Sequence, residues 1–245
     1  MSQELLIFIA IGFFAQIIDG ALGMAFGVIC TSALLSLGLP PAAASALTHV
    51  TEIFTTAASG ASHAHQRNVD WKLVARLAPA GMIGGAIGAY LLSSIDASFM
   101  EPLVSLYLIG FGLYILYKAF RQFRPRQVSD KLVPGIGLGG GLLDAMGGGG
   151  WGPIVTTSLV GRGHDPKKVI GSANLSEFMV TLTISLTFVL TLGWTQFNAA
   201  IGLIIGGVLA APFGALLVKR LPLRPLMVAV AVVIIGTSVY RFFGG

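Results

Sequence analysis

Apolar residues run along this chain in eight long stretches, at 5–37, 42–60, 73–92, 103–120, 133–160, 169–192, 197–218 and 226–243. Short polar or basic interruptions separate them. A helix rises 1.5 Å per residue, so about 20 apolar residues match a hydrocarbon layer roughly 30 Å thick. The pattern predicts a bundle of membrane-crossing helices. Two stretches do not fit a single crossing, because 5–37 and 133–160 are roughly 33 and 28 residues long. Each is interrupted near its middle by an acid and several glycines, most plainly in GGGLLDAMGGGGWGP at 139–153. Each is predicted to be a helix, a break and a second helix.

Composition agrees with the pattern. Of the 245 residues, 55% are hydrophobic, only 10% are charged and 33 are glycine, with a mean hydropathy of +0.85. A soluble domain does not have this make-up. One membrane domain of seven or eight segments fills the length, and the first apolar run, which lacks a basic lead and a small-residue cleavage site, is expected to stay as the first segment. A single cysteine, Cys30, excludes an internal disulfide. The net charge of +5 would point to nucleic acid in a soluble protein, but here the bases sit in loops.

Those loops predict the orientation, because cytoplasmic loops collect Lys and Arg. Residues 61–76 carry Arg67, Lys72 and Arg76, residues 118–131 carry five bases, 161–168 carry Arg162, Lys167 and Lys168, and 219–224 carry Lys219, Arg220 and Arg224. The loops near 38–41, 94–101 and 193–196 carry none. Every loop obeys the rule only if 133–160 enters the bilayer and returns to the side it came from. A hairpin is therefore expected there, with both chain termini outside.

An internal repeat explains why there are two such stretches. Shifting the sequence by 125 residues aligns 11–60 with 136–185 without a gap and with 12 of 50 positions identical, including Gly12 with Gly137, Asp19 with Asp144, Gly23 with Gly148, Gly27 with Gly152, Thr31 with Thr156 and Glu52 with Glu177. Shared membrane composition matches Leu and Gly easily; it does not match two acids out of ten. The reading is an all-α polytopic membrane protein of two inverted repeats, 5–120 and 133–243, joined by a basic linker at 121–131. Each repeat is a broken, re-entrant helical hairpin plus three transmembrane helices. Inverted repeats meeting at broken helices near the bilayer midplane are a plan of secondary transporters. A parallel four-plus-four arrangement of ordinary long helices is the alternative.

Backbone leaves helical geometry in a bilayer only where protein or a wet cavity covers it. The breaks must therefore face inward. Gly148, Gly149 and Gly150 allow positive φ and close approach, and Pro153 suits a first helical turn, so a helix is expected to start near Gly152, with a counterpart near Gly27. Such N-termini present free N–H groups and the positive end of a dipole to an anion.

Four of the ten acids, Asp19, Glu52, Asp144 and Glu177, lie inside apolar runs with no basic residue at similar depth. Buried acids without a basic partner are proton-coupling or gating candidates. Asp19 and Asp144, being next to the breaks, either do this or simply hold turn amides. His49 with Glu52, and Asn174 with Glu177, are spaced i, i+3 and share a helix face; His49 either relays protons or bonds a neighbour. Candidate substrate contacts are Gly23, Gly27, Thr31, Thr48, His49, Gly148, Gly149, Gly150, Trp151, Thr156, Ser172 and Asn174. Trp151, set in the break itself, either walls the site or fills space beside the glycines. Neither a metal-ligand spacing nor a cofactor motif is present.

At these residues a family resemblance appears. The stretch IDGALGMAFGVICTSALLSLGLPPAAASALTHVTEIFTTAASGA with NVDWK in the first half, and DAMGGGGWGPIVTTSLVGRGHDPKKVIGSANLSEF in the second, resemble the TauE/SafE family of sulfite exporters over nearly the whole chain. The resemblance implies export of a small sulfur-containing anion, sulfite or an organosulfonate, across the bacterial inner membrane. Thr48-His49 stands where that family often has Thr-Asn. The residues themselves predict a transporter with a central polar site, and proton coupling accommodates both the helix N-termini and the buried acids. An anion channel, or a carrier of another small anion, is the rival reading. A retinal protein needs a buried lysine, whereas Lys118, Lys131, Lys167, Lys168 and Lys219 all lie at segment ends, and no nucleophile-base motif marks an intramembrane enzyme.

Overall fold

The computed structural model describes residues 3–22, 25–120, 129–160, 166–193, 198–217 and 223–244. Among them the chain is all-α: α1 Gln3–Leu22, α2 Phe26–Ser36, α3 Pro41–His65, α4 Trp71–Ser94, α5 Ala97–Phe120, α6 Val133–Gly147, a π-helical turn Gly152–Thr156 running into α7 Thr157–Val160, α8 Pro166–Leu192, α9 Asn198–Leu217 and α10 Leu223–Gly244. Both long apolar stretches are broken where the acid and glycines fall. The linker at 121–128 lies outside the described residues.

Local chemistry sets these ends. Asp70 starts α4 by accepting the N–H groups of Lys72 at 2.9 Å and Leu73 at 3.3 Å, and Pro41 opens α3 at a position whose N–H has no helical acceptor. Gly148 closes α6 in the left-handed region at φ 67°, with its N–H on the Asp144 carbonyl. A side chain there would cost strain.

Four helices, 71–94, 97–120, 167–192 and 224–243, are by themselves long and apolar enough to cross a membrane. Side chains such as Phe14, Leu190 and Phe243, 63%, 78% and 81% exposed, cover the outside with apolar surface suited to lipid. This is a multi-pass membrane protein. The α3 helix, though 25 residues long, is absent from that set because its inner face is polar.

Helices pack in a crosswise order. The α1 helix lies on α9, α4 on α6 and α8, α3 on α8, and α5 on α10. With no hydrophobic drive between helices in lipid, close backbone approach is a main source of adhesion. Glycine provides it: a methyl at Gly84 or Gly141 would strike the carbonyl of Leu138 or Gly81 across the α4–α6 seam, and one at Gly12 or Gly206 would strike the carbonyl of Leu203 or Ile9 across α1–α9.

The two ends of the bundle can be read from polar contacts. At one end Arg76 pairs with Asp130, Lys168 Nζ donates to the Arg67 carbonyl at 2.7 Å, and the Asp70 N–H donates to Ser172 Oγ at 2.8 Å. The 3-10 turn Asp130–Leu132 before α6 thus meets the early turns of α4, and the start of α8 meets the α3–α4 connection just before them. At the other end Arg241 of α10 reaches Glu101 of α5 at 3.1 Å and donates to the Leu35 carbonyl at the end of α2. Arg67, Arg76 and Lys168 thus stand at one end of the bundle, while Arg162, Lys219 and Arg220 lie outside the described residues.

Candidate functional site

The functional side chains are placed by the breaks. In the first, Asp19 Oδ1 accepts the N–H groups of Ala25 at 2.8 Å and Phe26 at 3.1 Å. In the second, Asp144 Oδ1 accepts that of Trp151 at 2.9 Å. Phe26 and Trp151 are, like the two acids, 125 residues apart. Each acid caps the helix that follows its break, so part of the free N–H character expected for an anion is taken by the chain's own carboxyls.

The break tips meet. Gly27 and Gly149 approach so closely that a methyl on either would strike the other's backbone. Thr31 Oγ1 donates to the Gly148 carbonyl at 2.6 Å and accepts from Thr48 at 3.0 Å. Tyr107 donates to the Gly149 carbonyl at 2.9 Å. Carbonyls left bare by the second break are thereby covered.

Beside the tips lies a cavity of about 270 Å³, lined by Gln16 and Asp19 of α1, the start of α2 through Gly27, one face of α3, Gly150, Gly152 and Pro153 of the second break, and Ile170, Asn174 and Glu177 of α8. It has room for a small oxyanion and several waters. Its α3 face is Glu52, Thr55, Thr56, Ser59 and His63, which run at helical spacing toward the end of the bundle that carries Arg67 and Lys168. Three carboxyls line it without a Lys or Arg among the lining residues. Buried Glu52 Oε2, Gln16 Oε1 and His63 Nδ1 have no hydrogen-bond partner, and native proteins seldom leave such atoms unsatisfied.

Of the residues singled out in the sequence, the cavity collects Asp19, Gly27, Glu52, Gly150, Asn174 and Glu177. The others stand behind it or apart. Thr31, Thr48, Gly148 and Gly149 knit the tips together. Ser172 binds the α3–α4 connection, and Thr156 ends the π-helical turn. Trp151, fully buried, donates Nε1–H to the Ala173 carbonyl at 3.1 Å and packs against Gly81 and Gly140, so it fills space rather than walling the cavity. His49 and Asp144 face each other at 3.3 Å behind Glu52. Gly23 lies outside the described residues. Gln16, Thr55, Thr56, Ser59 and His63 were not anticipated; the polar stripe at 52, 55, 56, 59 and 63 was the signal that marks most of them.

Comparison with known proteins fits this architecture. The sequence profile of the sulfite exporter TauE/SafE family matches residues 8–241. The chain belongs to the TauE/SafE family. It is 41% identical over 228 residues to a "probable membrane transporter protein YtnM" of Bacillus subtilis, covering 89% of this chain and 76% of that one. It is 25% identical over 247 residues to a "probable membrane transporter protein" of Haemophilus influenzae, covering 96% and 94%. No solved structure matches. As a TauE/SafE member the chain is a membrane transporter.

Proposed function

We propose that this TauE/SafE protein exports a small sulfur-containing oxyanion, sulfite being the first candidate, from the bacterial cytoplasm across the inner membrane. The anion crosses together with protons. One observation carries this reading: Glu52, 5% exposed and with one carboxyl oxygen lacking a hydrogen-bond partner, lines a cavity that also holds Asp19 and Glu177 and no basic side chain but His63. An anion facing three ionised carboxylates in a partly dehydrated site is strongly repelled. Protonated carboxyls reverse the interaction, since each then offers an O–H to the oxyanion. The starts of the helices after the two breaks, at Gly27 and Gly152, add their dipoles.

The family's name and the relatives' description as transporters support the substrate class and the activity. The crosswise pairing of α1 with α9 and α4 with α6, related by the 125-residue shift, supports two inverted repeats. Rocking of one repeat against the other then alternates access to the site. In this arrangement the mouth near His63 and Ile170 faces the cytoplasm, and the Arg241–Glu101 contact closes the outside. A cation carrier is the second reading, favoured by the same three acids and opposed by the helix dipoles.

Flux of sulfite, thiosulfate, sulfate, a sulfonate and alkali cations in proteoliposomes, with and without a pH gradient, tests the proposal. Sulfite flux accelerated by the gradient, and uncoupled from it by Glu52→Gln with Glu177→Gln, is expected. Sulfite flux no greater than in empty vesicles, or a double variant as coupled as the parent, overturns it.

A further inference from the structure

His49 interrupts the symmetry of the two halves. Its counterpart Asn174 lines the cavity and donates to its own helix, to the Ile170 carbonyl at 3.0 Å. His49 instead is fully buried and bonded on both ring nitrogens. Nδ1 lies 2.8 Å from the Ser45 carbonyl, which can only accept. Ser45 Oγ, 3.2 Å from the same nitrogen, spends its single proton on the Ala145 carbonyl at 2.6 Å and so also accepts. Both contacts require the proton of a neutral ring to sit on Nδ1.

Nε2 is then a bare lone pair, and it lies 3.3 Å from Asp144 Oδ2 and 4.0 Å from Glu52 Oε2. A bare nitrogen against an ionised carboxylate in a dry interior is repulsive; one proton between them makes a charge-assisted hydrogen bond. That bond has a mechanical consequence, because Asp144 also caps the helix after the second break through Trp151 and Ser45 binds the next carbonyl of α6.

We infer that His49 and Asp144 share one proton, exchanged with the cavity through Glu52, and that this pair is the seat of the coupling proton, fastening the second hairpin to α3. In the transfer the O–H bond of protonated Glu52 breaks and an Nε2–H bond forms. Glu52 is left a carboxylate, and the imidazolium charge is balanced by Asp144. The first break has no such link, since Asn174 does not titrate. Coupling is therefore asymmetric between the halves, and transient loss of the shared proton frees the second tip to move.

The surroundings bear on this. Asp144 from α6, Glu177 from α8 and Asp19 from α1 are the acids within electrostatic reach of Glu52, Tyr107 from α5 lies within reach of Asp144, and Cys30 from α2 within reach of Glu52 and Asp19. The α8 helix presents Phe188 to the imidazole, ring centroids 6.4 Å apart, and α9 carries no ionisable residue. No Lys or Arg among the described residues bonds to the pair or to Glu52.

The inference rests on the proposed proton-linked transport, and two measurements separate their fates. With the membrane voltage clamped, one pH unit shifts the steady-state sulfite ratio by about tenfold per coupled proton. His49→Asn, which installs the residue of the second half, is expected to abolish that shift whatever the absolute rate. Persistence of the tenfold shift overturns the inference. The ¹⁵N spectrum of histidine-labelled protein, with His49 assigned by its loss in that variant, reads the ring directly and needs no transport. Nδ1 protonated, with Nε2 shifting on Asp144→Asn, is expected; a neutral ring with its proton on Nε2 overturns the inference. Parent protein that moves no sulfite counts against the proposed function instead, and the spectrum still decides the shared proton.

Discussion

At the scale of single residues, the polar groups inside this bundle divide between those that open onto the cavity and those that hold its walls. Thr31 belongs to the walls. Thr31→Val removes the hydroxyl that caps the Gly148 carbonyl at 2.6 Å, and a loss of about 1 kcal/mol is expected in reversible unfolding. Asp144→Ala should cost more, about 3–5 kcal/mol, because it strips the Trp151 N–H of its acceptor and His49 of its partner together. A thermal midpoint in detergent equal to that of the parent would refute that expectation. Gly149 has no room for a side chain, since any Cβ meets the backbone of Gly27 and Val28. Gly149→Leu is expected to abolish export, and normal export by a membrane-inserted Gly149→Leu protein would refute the meeting of the tips. The acids were legible from sequence because a charge in an apolar run has few reasons to be there. The roles of Asp19 and Asp144 were not, because capping and proton carriage call for the same residue beside the same break.

At the scale of elements, helix seams are set by small residues and helix starts by caps. Gly84→Leu drives a side chain into the Leu138 carbonyl of α6, whereas Gly236 has open space around its Cβ position. The first is expected to destabilise by about 3 kcal/mol or more. Gly236→Ala should be neutral or stabilising by up to about 1 kcal/mol, as a helical glycine exchanged for a better helix former. Equal effects would show that the α4–α6 seam does not depend on backbone approach. The start of α5 offers a pH test outside the membrane segments. The hydroxyl and amide of Ser98 hold the Asp96 carboxyl below its ordinary value of 3.8. A depressed folded pKa means the cap contributes above the ordinary value and is lost as pH falls through the lowered one. Asp96→Ala should lower the thermal midpoint slightly at neutral pH and leave it unchanged in strong acid. Apolar runs located the described helices to within about six residues at their ends, because a run long enough to cross lipid has little choice but to be helical. They missed the last turns of α3, where Ser62, His63 and His65 continue the helix with polar side chains.

At the scale of the whole molecule, the cavity lies between elements far apart in the chain and leans toward the end where Arg67 and Lys168 meet. In inside-out vesicles, Ser59→Cys in a Cys30→Ala background is expected to react with a membrane-impermeant thiol reagent. In right-side-out vesicles it should react at least about tenfold more slowly. The opposite preference would invert the proposed orientation. Loosening the far end with Arg241→Gln, which removes the contacts to Glu101 and Leu35, should raise reactivity from the outside. By itself the sequence determined the all-α membrane architecture, the two breaks, the 125-residue repeat and the four acids inside apolar runs, because length, hydropathy and helical period are local properties of the chain. Tertiary structure alone decided which of the polar residues share a cavity, that Trp151 packs while Gln16 and His63 line, and that His49 turns to Asp144 while Asn174 does not. These are meetings between residues dozens to more than a hundred positions apart, and they follow from how helices cross, which no local pattern encodes.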